Sequence, residues 1–160
     1  MVINQEYFTV ELASKITLGL SLSEMVTVAQ FETKNICIVP GVAEFWYGVV
    51  NFKGSLLWIL DSDRFLNLHQ KYHKISPKLT VVVVKNRLSS SNKQVAIVVR
   101  QLKGIAAVSP SNFKPLSNKI SPRLRQCCST AAQVEEQIVN IIDSEALLQQ
   151  LSKESMLIST

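Results

Sequence analysis

The chain has 160 residues, of which 47% are hydrophobic and 18% charged, so it is globular and outside the disordered class. At this length roughly 70% of the unfolded surface is buried on folding, and disulfides are not needed. The three cysteines, two of them adjacent, build no disulfide framework. No run approaches the ~18 apolar residues of a membrane helix, and the first residues lack a basic segment followed by an apolar one. The expected compartment is the reducing cytoplasm, with no direct membrane insertion.

The net charge of +5 is unevenly spread. Residues 1–60 carry −2, residues 61–125 carry +11, and residues 126–160 carry −4. So basic a middle third implies either an acidic partner or a set of solvated loops.

In chain order, residues 7–12 read as a strand rich in β-formers. Residues 17–20 and 25–30 follow, separated by Ser21-Leu22-Ser23, which suggests a hairpin or a one-turn connection. Residues 36–39 run into Pro40-Gly41, a loop signal. Residues 49–52 and 55–60 flank Lys53-Gly54, a tight hairpin in which glycine supplies a positive φ. Two β-branched runs, 79–85 and 94–100, are joined by a polar loop containing Ser89-Ser90-Ser91-Asn92, expected to be exposed. A strand is expected over 104–108, irregular basic chain over 112–125, and a last strand over 137–142.

Helix signals are few. Asp61-Ser62-Asp63 and Asp143-Ser144-Glu145 each offer an Asp N-cap with an acid two places later, suited to a positive helix end. The segments 59–66 and 141–148 also share Ile, Asp, Ser and Leu at matching places, which hints at two lobes closed by one strand–cap–helix device. Many short strands without long helices predict an all-β barrel architecture.

Catalytic chemistry is poorly served. Asp61 and Asp143 stand where caps are wanted. His69 and His73 could share a helix face and bind a metal only if the helix beginning at Asp61 persisted past them, and no Cys, Asp or Glu lies nearby. Cys127-Cys128 cannot form an ordinary disulfide or chelate one zinc well, and Cys37 reads as a small apolar side chain. Neither a triad nor a glycine-rich phosphate loop is present, so no enzyme, cofactor or metal is expected. A single-stranded nucleic-acid-binding barrel is the alternative: the charge suits it, but aromatics are not interleaved with the cations.

The segment Val39-Pro40-Gly41-Val42-Ala43-Glu44-Phe45-Trp46-Tyr47-Gly48-Val49-Val50-Asn51-Phe52-Lys53-Gly54-Ser55-Leu56-Leu57-Trp58-Ile59-Leu60-Asp61 resembles the signature of the CheW family. That signature is a Pro-bearing loop, a Gly before a strand, an Asn-Leu-Arg-Gly hairpin and a second strand ending in Asp. The resemblance implies two small five-stranded SH3-like barrels sharing a core, with short capping helices, over residues 6–152, followed by a tail at 153–160. It implies a non-catalytic adaptor that couples the cytoplasmic tip of a chemoreceptor to the regulatory domain of a CheA-type histidine kinase. The setting would be chemotaxis or type IV pilus or phototactic motility, and nucleic acid is not an expected partner.

Carried onto this chain, the resemblance places partner-binding residues at Met25, Thr27, Val39, Pro40, Gly48, Asn51, Lys53, Gly54 and Arg100. The strand 25–28 would face the receptor. Three positions depart from the family pattern. Lys53 replaces the hairpin Arg, keeping charge but losing the bidentate fork. Thr27 stands for a frequent Glu, and Arg100 for an acid, which reverses the charge there. These changes imply a partner surface unlike the usual chemotaxis one.

Overall fold

The computed structural model describes residues 3–68, 76–85 and 93–154. It is mostly strand. The strands are β1 (Gln5–Glu11), β2 (Thr17–Ser21), β3 (Met25–Glu32), β4 (Trp46–Phe52), β5 (Ser55–Leu60), β6 (Lys78–Lys85), β7 (Gln94–Val99), β8 (Gln101–Val108), β9 (Phe113–Lys114), β10 (Cys128–Val134) and β11 (Gln137–Ile142). Among the described residues three short α-helices accompany them: α1 (Ser62–Phe65), α2 (Pro122–Cys127) and, after the last strand, α3 (Ser144–Glu154).

The strands form two curled sheets, ordered β3-β6-β7-β5-β4 and β8-β1-β2-β11-β10-β9. The first has the five strands expected, and the second adds the two-residue β9. Each curls back on itself in the same way. Beyond β3, a single turn at Thr33–Asn35 brings Cys37 to the opposite edge, where it pairs with Val49 of β4. Beyond β8, a single turn at Pro110–Asn112 brings β9 to β10.

Register makes the duplication explicit. In β4–β5, Trp46 faces Leu60 and, after a bulge, Gly48 faces Ile59. In β10–β11, Cys128 faces Ile142 and, after a bulge, Thr130 faces Ile141. Counterparts therefore lie 82 positions apart, as Leu60 and Ile142 do. Likewise Met25 and Leu102 lie 77 positions apart, each preceding a bulge in its edge strand. The hairpin β6–β7 completes the first sheet, and the N-terminal hairpin β1–β2 plays that part in the second. The chain thus crosses between the lobes after β2 and after β7.

Packing follows from alternation. β6 is buried on both faces, and its β-branched run divides between two cores. Val81 and Val83 point into the first barrel with Leu57 and Ile59. Val82 and Val84 point outward into a core shared by the lobes, with Val10, Leu18, Leu20, Trp46, Leu60 and Ile142. A third cluster, including Tyr7, Val139 and Ile141, fills the second barrel.

Asp61 caps α1 by accepting from the Arg64 amide at 3.1 Å, and Asp143 caps α3 by accepting from Ala146 at 3.2 Å. Helix α1 is one turn long. Asn67, at φ 56°, ends it, with the Leu68 amide bonded to the Asp63 carbonyl and the Asn67 amide to that of Arg64. The helix beginning at Asp61 therefore ends before His69, and both histidines lie outside the described residues. So does the serine-rich loop at 89–92.

The stretch expected to be irregular contains β9 and α2. Ser121 caps α2 through the Leu124 amide at 3.1 Å, Pro122 opens it, and the Ser121 hydroxyl also donates to the carbonyl of Leu66 at the end of α1. Arg123 stacks over Phe65 and pairs with Glu154, tying α2 to both other helices. The last helix runs through Glu154, past the expected start of the tail.

Candidate functional site

The hairpin between β4 and β5 is exposed from Lys53 to Leu56. Its turn holds Lys53 at φ 52° and Gly54 at φ 83°, two successive left-handed residues, a geometry that reverses antiparallel strands tightly. Asn51 locks the turn, its side-chain oxygen accepting from the Gly54 amide at 3.1 Å. Lys53 projects into solvent, its ammonium 5.2 Å from the centre of the Phe52 ring, which in turn meets Phe31 edge-on. Opposite Asn51 stands Leu56, 66% exposed.

Neighbouring strands bring more charge to this end. β7 runs parallel beside β5 with Trp58 against Val95, and Lys85 pairs with Gln94 at the start of β7. Lys85 and Lys93, both exposed, therefore stand at the same end as Lys53. Three exposed lysines thus share this end of the lobe with an exposed leucine.

The equivalent end of the second lobe has the opposite charge. The counterparts of Lys53, Gly54 and Leu56 are Glu135, Glu136 and Ile138. Glu135 takes the same left-handed conformation at φ 55°, and Ile138 is 37% exposed. Glu11, at the end of β1, stands where the first lobe has Lys85. An exposed aliphatic residue shares one end with lysines, and an aliphatic residue at the other end shares it with carboxylates.

The remaining expected residues are spread more widely. Met25 and Thr27 lie on β3, half-buried, with Met25 packed on the shared core. Val39 is half-buried and Pro40 exposed in the loop between the turn at Thr33–Asn35 and β4. Gly48 is buried, so its part is in closing the barrel rather than in meeting solvent. Arg100 lies between β7 and β8, far along the chain from the hairpin. Its guanidinium donates to Asp63 at 3.1 Å, and Asp63 also accepts from the Ala13 amide at 2.8 Å. Asn51, Lys53 and Gly54 are thus brought together, whereas Arg100 serves a contact between lobes. Leu56, Lys85, Lys93, Glu135, Glu136 and Ile138 escaped the sequence reading because only register places them at strand ends.

Burial raises the thiol of Cys127 to about 11 and that of Cys128 to about 12, so both are protonated and unreactive at neutral pH. Among the described residues no group of His, Cys, Asp and Glu could hold a metal ion, and no helix is long and apolar enough to cross a membrane.

The sequence model of the CheW-like domain matches residues 6–152. The chemotaxis protein CheW of Bacillus subtilis (strain 168) is 23% identical over 117 residues, covering 73% of this chain and 71% of that protein. The crystal structure of the scaffolding protein TtCheW from Thermoanaerobacter tengcongensis superposes with a TM-score of 0.72 at 15% identity, covering 88% of this chain and 90% of that one.

Proposed function

The chain belongs to the CheW-like domain family, whose members are non-catalytic scaffolding adaptors, and from that premise we propose that it couples a chemoreceptor to a CheA-type histidine kinase. In this reading the barrel ends meet the kinase's regulatory domain, and the half-buried strand from Met25 to Val28 meets the receptor tip. The setting is chemotaxis or pilus-based or phototactic motility in the cytoplasm.

The observation that carries the reading is the pair of oppositely charged ends. A partner domain built on the same duplicated plan presents the same kind of ends. Complementary charge then selects which end meets which and speeds encounter, while Leu56 and Ile138 supply the apolar contact. Nucleic-acid binding is disfavoured because Trp46, which could stack on a base, is 6% exposed and committed to the shared core.

The test is titration calorimetry of the chain against the regulatory domain of a CheA-type kinase from the same cell. Lys53→Glu combined with Lys93→Glu is expected to weaken binding at least tenfold, and the wild-type affinity to fall with added salt. Unchanged affinity in a folded double variant refutes the assignment of this end.

A further inference from the structure

An open pocket of about 340 Å³ lies where β1, the end of β2 and the first turn of α3 meet. Tyr7, Ser21 and Ser129 line it together with three carboxylates, Glu24, Asp143 and Glu145. Among the described residues, none of the three carboxylates forms an ion pair. Asp143 caps α3, and Glu145 suits the positive end of that helix. Glu24 comes from a different element and has no such role. It stands close enough to the Tyr7 phenol to add to the effect of burial in raising its pKa.

The duplication supplies an independent comparison within the molecule. The counterparts of Asp143 and Glu145 are Asp61 and Asp63, and the counterpart of Ser129 is Tyr47. Carried back from Met25 and Leu102, the register matches Ser23 with Arg100 and Glu24 with Gln101. In the first lobe these acids hold a guanidinium: Arg100 pairs with Asp63, and Arg64 lies 3.9 Å from Asp61. The Tyr47 ring sits among them, its phenol feeling Asp61, Asp63, Arg64 and Arg100. In the second lobe Ser129 removes the ring and Ser23 removes the cation. The acids remain, Glu24 is added, and the pocket opens where Ser129 stands in place of the ring.

We propose that this pocket receives an arginine side chain from a partner protein, in the place that Arg100 fills in the first lobe. Planar carboxylates from two elements suit the fork of a guanidinium better than the point charge of an ammonium. The proposal is independent of whether the barrel ends bind a kinase domain.

The experiment is an NMR titration of the full chain with N-acetyl-arginine methylamide, and in parallel with the lysine analogue. The expected result is saturable shifts confined to the amides of Glu24, Ser129, Glu145 and their neighbours, at millimolar concentrations. Binding weakens at least fivefold in Glu24→Gln and in Glu145→Gln, and is lost in Ser23→Arg, which restores the internal cation. Amide dispersion of each variant checks that it is folded. Non-saturable shifts, or equal affinity in the glutamine variants, overturn the proposal and leave the acids as helix-end and surface charges. Equal affinity for the lysine analogue overturns the preference for a guanidinium.

Discussion

Gly48 lies against the carbonyl of Cys37, so close that a Cβ on Gly48 would fall 2.9 Å from the carbonyl carbon and nearer still to its oxygen. This is the seam of the first barrel, where the Cys37 amide donates to Val49 at 2.8 Å and the Val49 amide donates back at 2.9 Å. Gly48 also has φ +145°, which side chains rarely adopt. Gly48→Ala is expected to cost roughly 2–5 kcal/mol, because the obstructing atoms are backbone and cannot rotate away. Gly54→Ala, at φ +83° with open space around it, should cost only about 1 kcal/mol. Urea unfolding of the two variants compares them, and equal costs would show that the seam is not under steric control.

How far the sequence reveals this architecture depends on which residues carry the repeat. The match between 59–66 and 141–148 is legible because capping demands the same Asp-Ser pair in both places. The match of Met25 with Leu102 and of Cys37 with Lys114 is invisible, since edge strands and bulges ask for register rather than identity. Strand 36–39 shrank to the single bridge at Cys37 because the chain touches β4 only where Gly48 lets it approach. Helix α2 was readable in principle from Ser121-Pro122, an N-cap followed by proline at the first helical position, but it is only six residues long and lies in a proline-containing basic stretch that reads as irregular chain. Lys53 was legible as a hairpin cation. Arg100 was not legible as an internal partner of Asp63, since nothing local joins positions 37 residues apart.

Lys53 allows charge and fold to be separated. Its φ of 52° is unfavourable for most side chains, whereas Asn tolerates it and Asn-Gly is a preferred pair for such a turn. Lys53→Asn should therefore leave stability unchanged or raise it by up to about 1 kcal/mol, while weakening the contact proposed with the kinase domain. Thermal melting beside calorimetric titration makes the comparison. A variant that loses stability and affinity together would place the role of Lys53 in the turn alone.

The thiols provide a check on burial. Cys37 is exposed, while Cys127 is buried and Cys128 half-buried. A disulfide reagent at pH 8 should modify one thiol rapidly in the native protein and the other two only on unfolding. The raised pKa values also set a pH dependence. Above the ordinary thiol value of 9.0 the unfolded chain loses protons that the folded chain retains, up to about 11 at Cys127 and about 12 at Cys128. Stability from this source is thus undiminished below pH 9 and falls as pH rises through that window. Replacing Cys128 with Ala should flatten the alkaline limb of a stability–pH curve, and an unaltered limb would contradict the assignment.

Asp63 and Arg100 contribute unequally although they form one ion pair. The Asp63 side chain is 14% exposed and accepts two hydrogen bonds, one from Arg100 and one from the Ala13 amide of the other lobe. That amide begins a turn whose next two residues, Ser14 and Lys15, both have positive φ, at 59° and 57°. Such a turn stores strain that its surroundings must hold in place. Asp63→Ala removes the acceptor and leaves a backbone donor unsatisfied, so it should cost roughly 1.5–3 kcal/mol. Arg100 is half exposed and its charge is screened, so Arg100→Gln should cost less than about 1 kcal/mol. Arg100→Glu places a second carboxylate against Asp63 and should behave more like Asp63→Ala. Any loss of partner binding in Arg100→Glu is therefore ambiguous between a lost contact and a shifted lobe. Arg100→Gln is the variant that separates them: reduced affinity at unchanged stability assigns Arg100 to the partner surface, and unchanged affinity confines it to the junction between lobes.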